Sequence, residues 1–204
     1  MGDLIVNAPK NMPDRKIFEF VKSREEWIRA NQIAVTQNAY INRRVASYNA
    51  YYFLGREITP VISSTAKQIT RQDNLLYIPS KIEPAKIQKR IEKFLKDNAK
   101  EIITARCEFF GATLRLGYTS IAINNNKTRW GSCTRGRALA LNWRAVMLPP
   151  ALLDYIVVHE FCHLLEFNHT PQFWAVVETI LPNWRALRKE LKHMGWLLQL
   201  FRNI

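Results

Sequence analysis

From Glu83 to Phe110 apolar residues recur at helical spacing. Ile87, Ile91, Phe94, Leu95, Ile102 and Ile103 form one stripe, and Pro84 stands where a first helical turn accepts proline. The pattern predicts one long helix whose lysines form a solvated face. An earlier helical pattern follows Asp14, with Ile17, Phe18, Phe20, Val21, Trp27 and Ile28, and is expected to reach Gln37 as an amphipathic packing helix. Ahead of it, Gly2-Asp3 and then Leu4 to Pro9 read as the turn and second strand of a hairpin whose first strand is absent. Between the two helices the pattern is that of strands, at Tyr51-Tyr52-Phe53-Leu54 before Gly55-Arg56, and at Asn74 to Ile78 before Pro79.

After Gly111, four short runs read as strands: Leu114-Arg115-Leu116, Thr119 to Ile123, Thr128 to Cys133, and Ala138 to Trp143. The last alternates as a half-buried strand does, while Asn124-Asn125-Asn126 and Thr134-Arg135-Gly136 read as turns. An antiparallel sheet is therefore expected ahead of a helix opened by Pro149-Pro150. Two further helices are expected at Pro171 to Leu181 and Asn183 to Lys192, with Phe173, Trp174, Val177, Ile180 and Leu181 facing inward. The apolar end, Trp196 to Phe201, reads as core packing in preference to a partner surface. The fold class expected is α+β.

A chain of 204 residues suits one sizeable domain. The pattern divides it into an N-terminal strand and helix extension, 1–82, and a core, 83–204, of the same unit. No apolar run is long enough to cross a bilayer, and the start lacks a secretory signal. Cys107, Cys133 and Cys162 are odd in number and fit no zinc-ribbon spacing, so reduced thiols and a cytoplasmic location are expected. Nothing in the pattern fixes an oligomeric state. The formal charge of +13 implies good solubility or an anionic partner. Its distribution is uneven. From Glu108 to Asp154 no acid intervenes, while Arg115, Lys127, Arg129, Arg135, Arg137 and Arg144 all fall there.

Three of the four histidines lie between His159 and His169. His159 and His163, four apart on a helix, share one face and can reach one ion. Glu160 holds the position that orients and deprotonates a metal-bound water in the H-E-x-x-H pattern. His169 would point away if the helix continued. Asn168, tolerant of left-handed backbone, and Thr170-Pro171, an N-cap followed by proline, supply a bend that brings it back. Three imidazoles with a fourth position left for water are the layout of catalytic zinc, with one ion. Cys162 points off the histidine face and reads as a small core residue.

Thr128-Arg129-Trp130-Gly131-Ser132-Cys133, Leu141-Asn142-Trp143-Arg144, Asp154 to Glu160 and Asn168 to Trp174 together closely resemble the YgjP-like metal-dependent hydrolases, zincin-like proteins related to the SprT and WLM metallopeptidases. Val6-Asn7-Ala8-Pro9 and Phe53-Leu54-Gly55-Arg56 match more diffusely. The resemblance implies a zincin-like α+β fold, His159, His163 and His169 as zinc ligands, and Glu160 as catalytic base. The resemblance also implies a first strand, which is expected to be missing before Gly2-Asp3.

Cleavage of a peptide or protein substrate by zinc-activated water is the leading expectation. Arg129, Trp130, Asn142 and Arg144 are candidates for substrate binding, the arginines and Asn142 toward a developing oxyanion or an anionic group. Against this, the arginines could form structural pairs, and Trp130 and Trp143 suit a core. Gly131 would let backbone approach substrate or helix closely. Ser132 and Cys133 need not be nucleophiles. A second expectation, also attributed within the resembled family, is release of pyrophosphate from a nucleoside triphosphate. The acid-free segment favours it; the nitrogen-rich site and the lack of a P-loop oppose it. A third is nucleic-acid association with the metal in a supporting role, which predicts steep salt dependence.

Overall fold

The computed structural model describes residues 6, 8–9, 12–26, 28–29 and 51–201. The chain divides into two compact units, Met1–Val45 and Ala46–Ile204. In the first, α1 (Asp14–Ser23) forms the expected helix, opened by Pro13 and carrying an Arg15–Glu19 pair one turn apart. None of its residues is buried. The continuation toward Gln37 and most of the Leu4 to Pro9 strand lie outside the described residues.

The second unit begins with a sheet of order β1-β2-β4-β3, built from β1 (Tyr51–Phe53), β2 (Arg56–Ser63), β3 (Thr70–Gln72) and β4 (Leu75–Pro79). Leu54 and Gly55 turn the first hairpin with φ of 48° and 77°, the left-handed pair that a tight hairpin demands. A Cβ on Gly55 would also meet Pro149 Cα at 2.8 Å, so glycine is required twice over.

The long helix α2 (Pro84–Leu114) starts at Pro84 as expected and buries Ile87, Ile91, Leu95, Ala99, Ile103, Cys107 and Phe110. It runs past Phe110, so Leu114 belongs to a helix and not to a strand. Gly111 does not stop it; lacking Cβ, it admits the Tyr118 ring, which a Cβ would meet at 3.0 Å. The stop comes at Arg115, with φ 54° and its N–H on the Ala112 carbonyl.

The second sheet, β5 (Ser120–Asn124), β6 (Gly131–Cys133) and β7 (Ala138–Asn142), has order β5-β7-β6. It is mixed, which corrects the antiparallel sheet expected: β7 runs parallel to β5 and antiparallel to β6. Alternation reports which face of a strand is buried, not the direction of its neighbour. Residues 125–130 are thus no tight turn but an arch over the end of β7. The Asn142 side chain holds that arch, donating to the Asn126 and Arg129 carbonyls at 2.6 and 3.0 Å. The first sheet repeats the device, β4 returning between β2 and β3, parallel to the former.

A wholly buried 3-10 turn, Trp143–Met147, leads to α3 (Pro150–Cys162), the central helix. Leu152, Leu153, Tyr155 to Val158 and Glu160 to Cys162 are all buried, as for a helix surrounded on nearly every side. Arg106 of α2 clamps Asp154 of α3 through two hydrogen bonds of 2.7 and 2.8 Å, fixing the helix that carries the histidines. Helices α4 (Pro171–Ile180) and α5 (Trp184–His193) follow. The apolar end packs inward as expected: Leu197 and Leu200 are buried, and Phe201 meets Tyr51 and Trp143 at ring distances of 5.9 and 5.6 Å.

Candidate metal centre

His159 lies in the last turn of α3, and His163, its C-cap, keeps helical backbone angles of −66° and −14°. Their rings therefore share a face, with centroids 5.0 Å apart. The chain then turns sharply. Leu165 and Glu166 both donate to the Cys162 carbonyl at 3.0 Å, and the Glu166 carboxylate accepts from the Asn168 N–H at 3.2 Å. Asn168 is not left-handed, contrary to expectation; hydrogen bonds, not a positive φ, make the bend. Thr170 then caps α4, its hydroxyl accepting from Phe173 N–H at 3.4 Å, with Pro171 in the first turn.

The bend returns His169 until its Nε2 is 2.9 Å from Nε2 of His159. One nitrogen from each of the three histidines falls within 4.8 Å of the others. His163 Nδ1 meets the Glu166 carbonyl at 3.2 Å, which leaves Nε2 as the nitrogen that could hold a metal. Burial lowers the pKa of all three rings, that of His159 to about 3, with the neighbouring imidazoles and then Arg188 adding to the effect. They are neutral near pH 7, the form that binds a metal. Three neutral nitrogens without a carboxylate suit a transition ion better than magnesium or calcium. Phe173 floors the group, its ring 4.9, 4.5 and 4.7 Å from those of His159, His163 and His169.

Glu160 is 6% exposed. Burial raises its pKa to about 8, partly opposed by Arg129. Its carboxyl lies on Gly131 of β6, the close helix approach for which that glycine was singled out. Beside Glu160 and His159 opens a cavity of about 510 Å³, walled by Arg129 and Trp130 on one side and Arg188 and Lys192 on the other.

Of the four substrate-binding candidates, Arg129 and Trp130 line this cavity; Asn142 and Arg144 do not. Both are fully buried, and Arg144 donates to the Leu200 carbonyl from Nε and Nη2 at 2.9 and 2.7 Å. The acid-free segment is not one basic face either, since Arg144 is internal and Arg137 serves the Gly117 carbonyl. Tyr155, Arg188 and Lys192 were missed. Tyr155 had a signal, standing one turn before His159 on the same helical face. All three cysteines are free, and burial pushes the Cys107 and Cys162 thiols up to about 12, far from reactive. Cys133 is raised too, by burial and then by Glu160.

A buried glutamate beside three converging imidazoles, on an α+β frame, defines the class: a metal-dependent hydrolase. The chain belongs to the YgjP-like metallopeptidase family, whose domain matches residues 1–194. Among solved structures it is similar to the metallopeptidase zymogen abylysin of Pyrococcus abyssi, with 19% identity and a TM-score of 0.40 over 44% of this chain and 90% of that one. No curated protein matches.

Proposed function

We propose that this protein is a zinc-dependent metallopeptidase of zincin-like arrangement, in which His159, His163 and His169 hold one zinc ion and Glu160 is the general base. Zinc bound there would lower the pKa of a water toward neutrality and polarise the scissile carbonyl. Glu160 takes the proton of the attacking water and delivers it to the leaving amine. Burial raises the pKa of this carboxyl in the metal-free protein, and a zinc ion beside it would draw it back to the carboxylate that accepts the proton. Arg129 and Trp130 contribute to substrate binding.

The observation that carries this reading is the meeting of three imidazoles, of which His159 shares a cavity with Glu160. Strand β6 adds to it. It is an edge strand, and its Gly131 touches Glu160. An extended peptide paired along that edge would pass beside the base.

Metal analysis and peptide turnover test the proposal together. The purified protein is expected to carry one zinc, to cleave casein-derived peptides, to stop with a chelator and to resume with zinc. Glu160→Gln is expected to keep the zinc and lose turnover; if the variant still cleaves, Glu160 is not the base. Chelator-sensitive release of pyrophosphate from nucleoside triphosphates, with peptides left intact, would replace the peptidase reading.

A further inference from the structure

The cavity beside the histidines carries more positive charge than Arg129 alone supplies. Among the described residues three cations face it, Arg129 from the arch before β6 and Arg188 and Lys192 from α5, against the single acidic side chain of Glu160. Arg188 and Lys192 are four apart on a helix and so project together. Among the described residues neither they nor Arg129 has an acidic partner within ion-pair distance, whereas the nearby Arg185 pairs with Glu178.

Arg188 is also held in place. Its guanidinium lies 4.7 Å from the Trp174 ring, which stacks on Trp184 at 4.3 Å and on His169 at 5.5 Å. A guanidinium fixed through its face keeps its edge N–H donors free for an acceptor in the cavity. Leu191 and Leu198 line the same space and can hold the apolar part of a ligand.

We infer that this wall is a specificity site for a peptide carboxylate, with Arg188 and Lys192 receiving an acidic group of the substrate adjacent to the bond held over Glu160. The inference rests on the peptidase reading for the identity of the ligand. The acidic group is either a Glu or Asp side chain or the C-terminal carboxylate. In both cases the paired cations supply charge-assisted hydrogen bonds that a neutral amide receives only weakly. The site discriminates through binding, not through the chemical step.

The test uses full-length zinc-loaded protein and fluorescent alanine-rich peptides carrying one central Glu or Gln, each with a free or amidated C-terminus. Anisotropy with Glu160→Gln, which retains the peptides uncut, is expected to give Kd about tenfold lower for Glu than for Gln, or for the free than for the amidated end. The contrast that responds identifies the carboxylate. Adding Arg188→Gln and Lys192→Gln is expected to abolish it with zinc content retained, and Lys192→Gln alone, which leaves the Arg188–Trp174 contact in place, to weaken it. Equal binding of all four peptides, or a preference that survives in the variant, overturns the inference. So does displacement by a nucleoside triphosphate at concentrations far below those of the Glu peptide, which would assign the wall to phosphate. Cleavage by the unsubstituted protein separates the two claims. Glu and Gln peptides bound and cut alike would leave the peptidase standing without this site. A carboxylate preference without cleavage would leave the site without the peptidase.

Discussion

Gly131 and Glu160 pack so closely that a Cβ at residue 131 would stand 2.6 Å from Glu160 Oε1 and 2.7 Å from its Cγ. The helix that carries Glu160 thus rests on a strand with no side chain at the point of contact. Gly131→Ala should push the carboxyl aside while leaving the histidines, which sit on α3 and the following turn, in place. We expect turnover to fall by about a hundredfold, the scale of a catalytic group misplaced by an ångström, and stability to fall by about 1–3 kcal/mol from overpacking. Zinc content should not change. Kinetics, metal analysis and denaturant unfolding of one preparation check all three; a variant that loses its zinc would place the damage in the histidines.

What could be read from the sequence was what is local. His159 and His163 are one helical turn apart, and Thr170-Pro171 announces the next helix three residues after Phe167, so the turn that returns His169 was confined to a few positions. The agent of the bend was not legible, because it is the Glu166 side chain reaching Asn168 N–H and not a backbone preference. Asn142 and Arg144 fall outside the cavity for a different reason. Their residue types suit a substrate site, but their acceptors are the carbonyls of Asn126, Arg129 and Leu200, distant in the chain. Arg188 and Lys192 sit on a helix whose polar face looks like any solvated one. Only the fold turns it toward Glu160.

Zinc retention should show unusual tolerance of acid. Burial holds the pKa of all three imidazoles below the ordinary 6.5, and His159 at about 3. Protons compete for a ligand only as pH falls through its own pKa. Zinc release on acidification should therefore begin below pH 6.5, at a lower pH than for three solvent-exposed imidazoles. Competition with a chromophoric chelator between pH 5 and 7.5 measures it, and affinity already falling steeply through pH 7 would contradict it.

Arg144 should prove structural. It is fully buried, and its guanidinium ties the Trp143–Met147 turn to the Leu200 carbonyl at the end of the chain. Removing it strands a buried carbonyl, a loss on the order of 1–3 kcal/mol. Arg144→Met should lower the free energy of unfolding by that amount, while KM and kcat for peptide, measured well below the unfolding midpoint, remain within about twofold. A selective rise in KM at full stability would restore Arg144 to the substrate site.

The metal-free protein should lose stability toward alkali because of Glu160, and the sign follows from where its proton is held. In the unfolded chain the carboxyl ionises near 4.5; in the fold, burial holds the proton until about 8. The folded state thus binds the extra proton between these values. Its stabilising contribution is complete below pH 4.5 and disappears as pH rises through 8, a change on the order of a few kcal/mol. His159 acts oppositely and lower down. Its folded pKa of about 3 against 6.5 makes stability fall as pH drops through that window. The two effects oppose each other between 4.5 and 6.5, so the alkaline decline should stand clear only from about 6.5 to 8. Glu160→Gln has no carboxyl to ionise and should gain on the unsubstituted protein across that interval, by thermal melts in chelator. Zinc loading should shrink the gain, because a nearby dication favours the carboxylate. Parallel melting curves for the two metal-free proteins from pH 5 to 8.5 would mean that the carboxyl is already ionised in the fold.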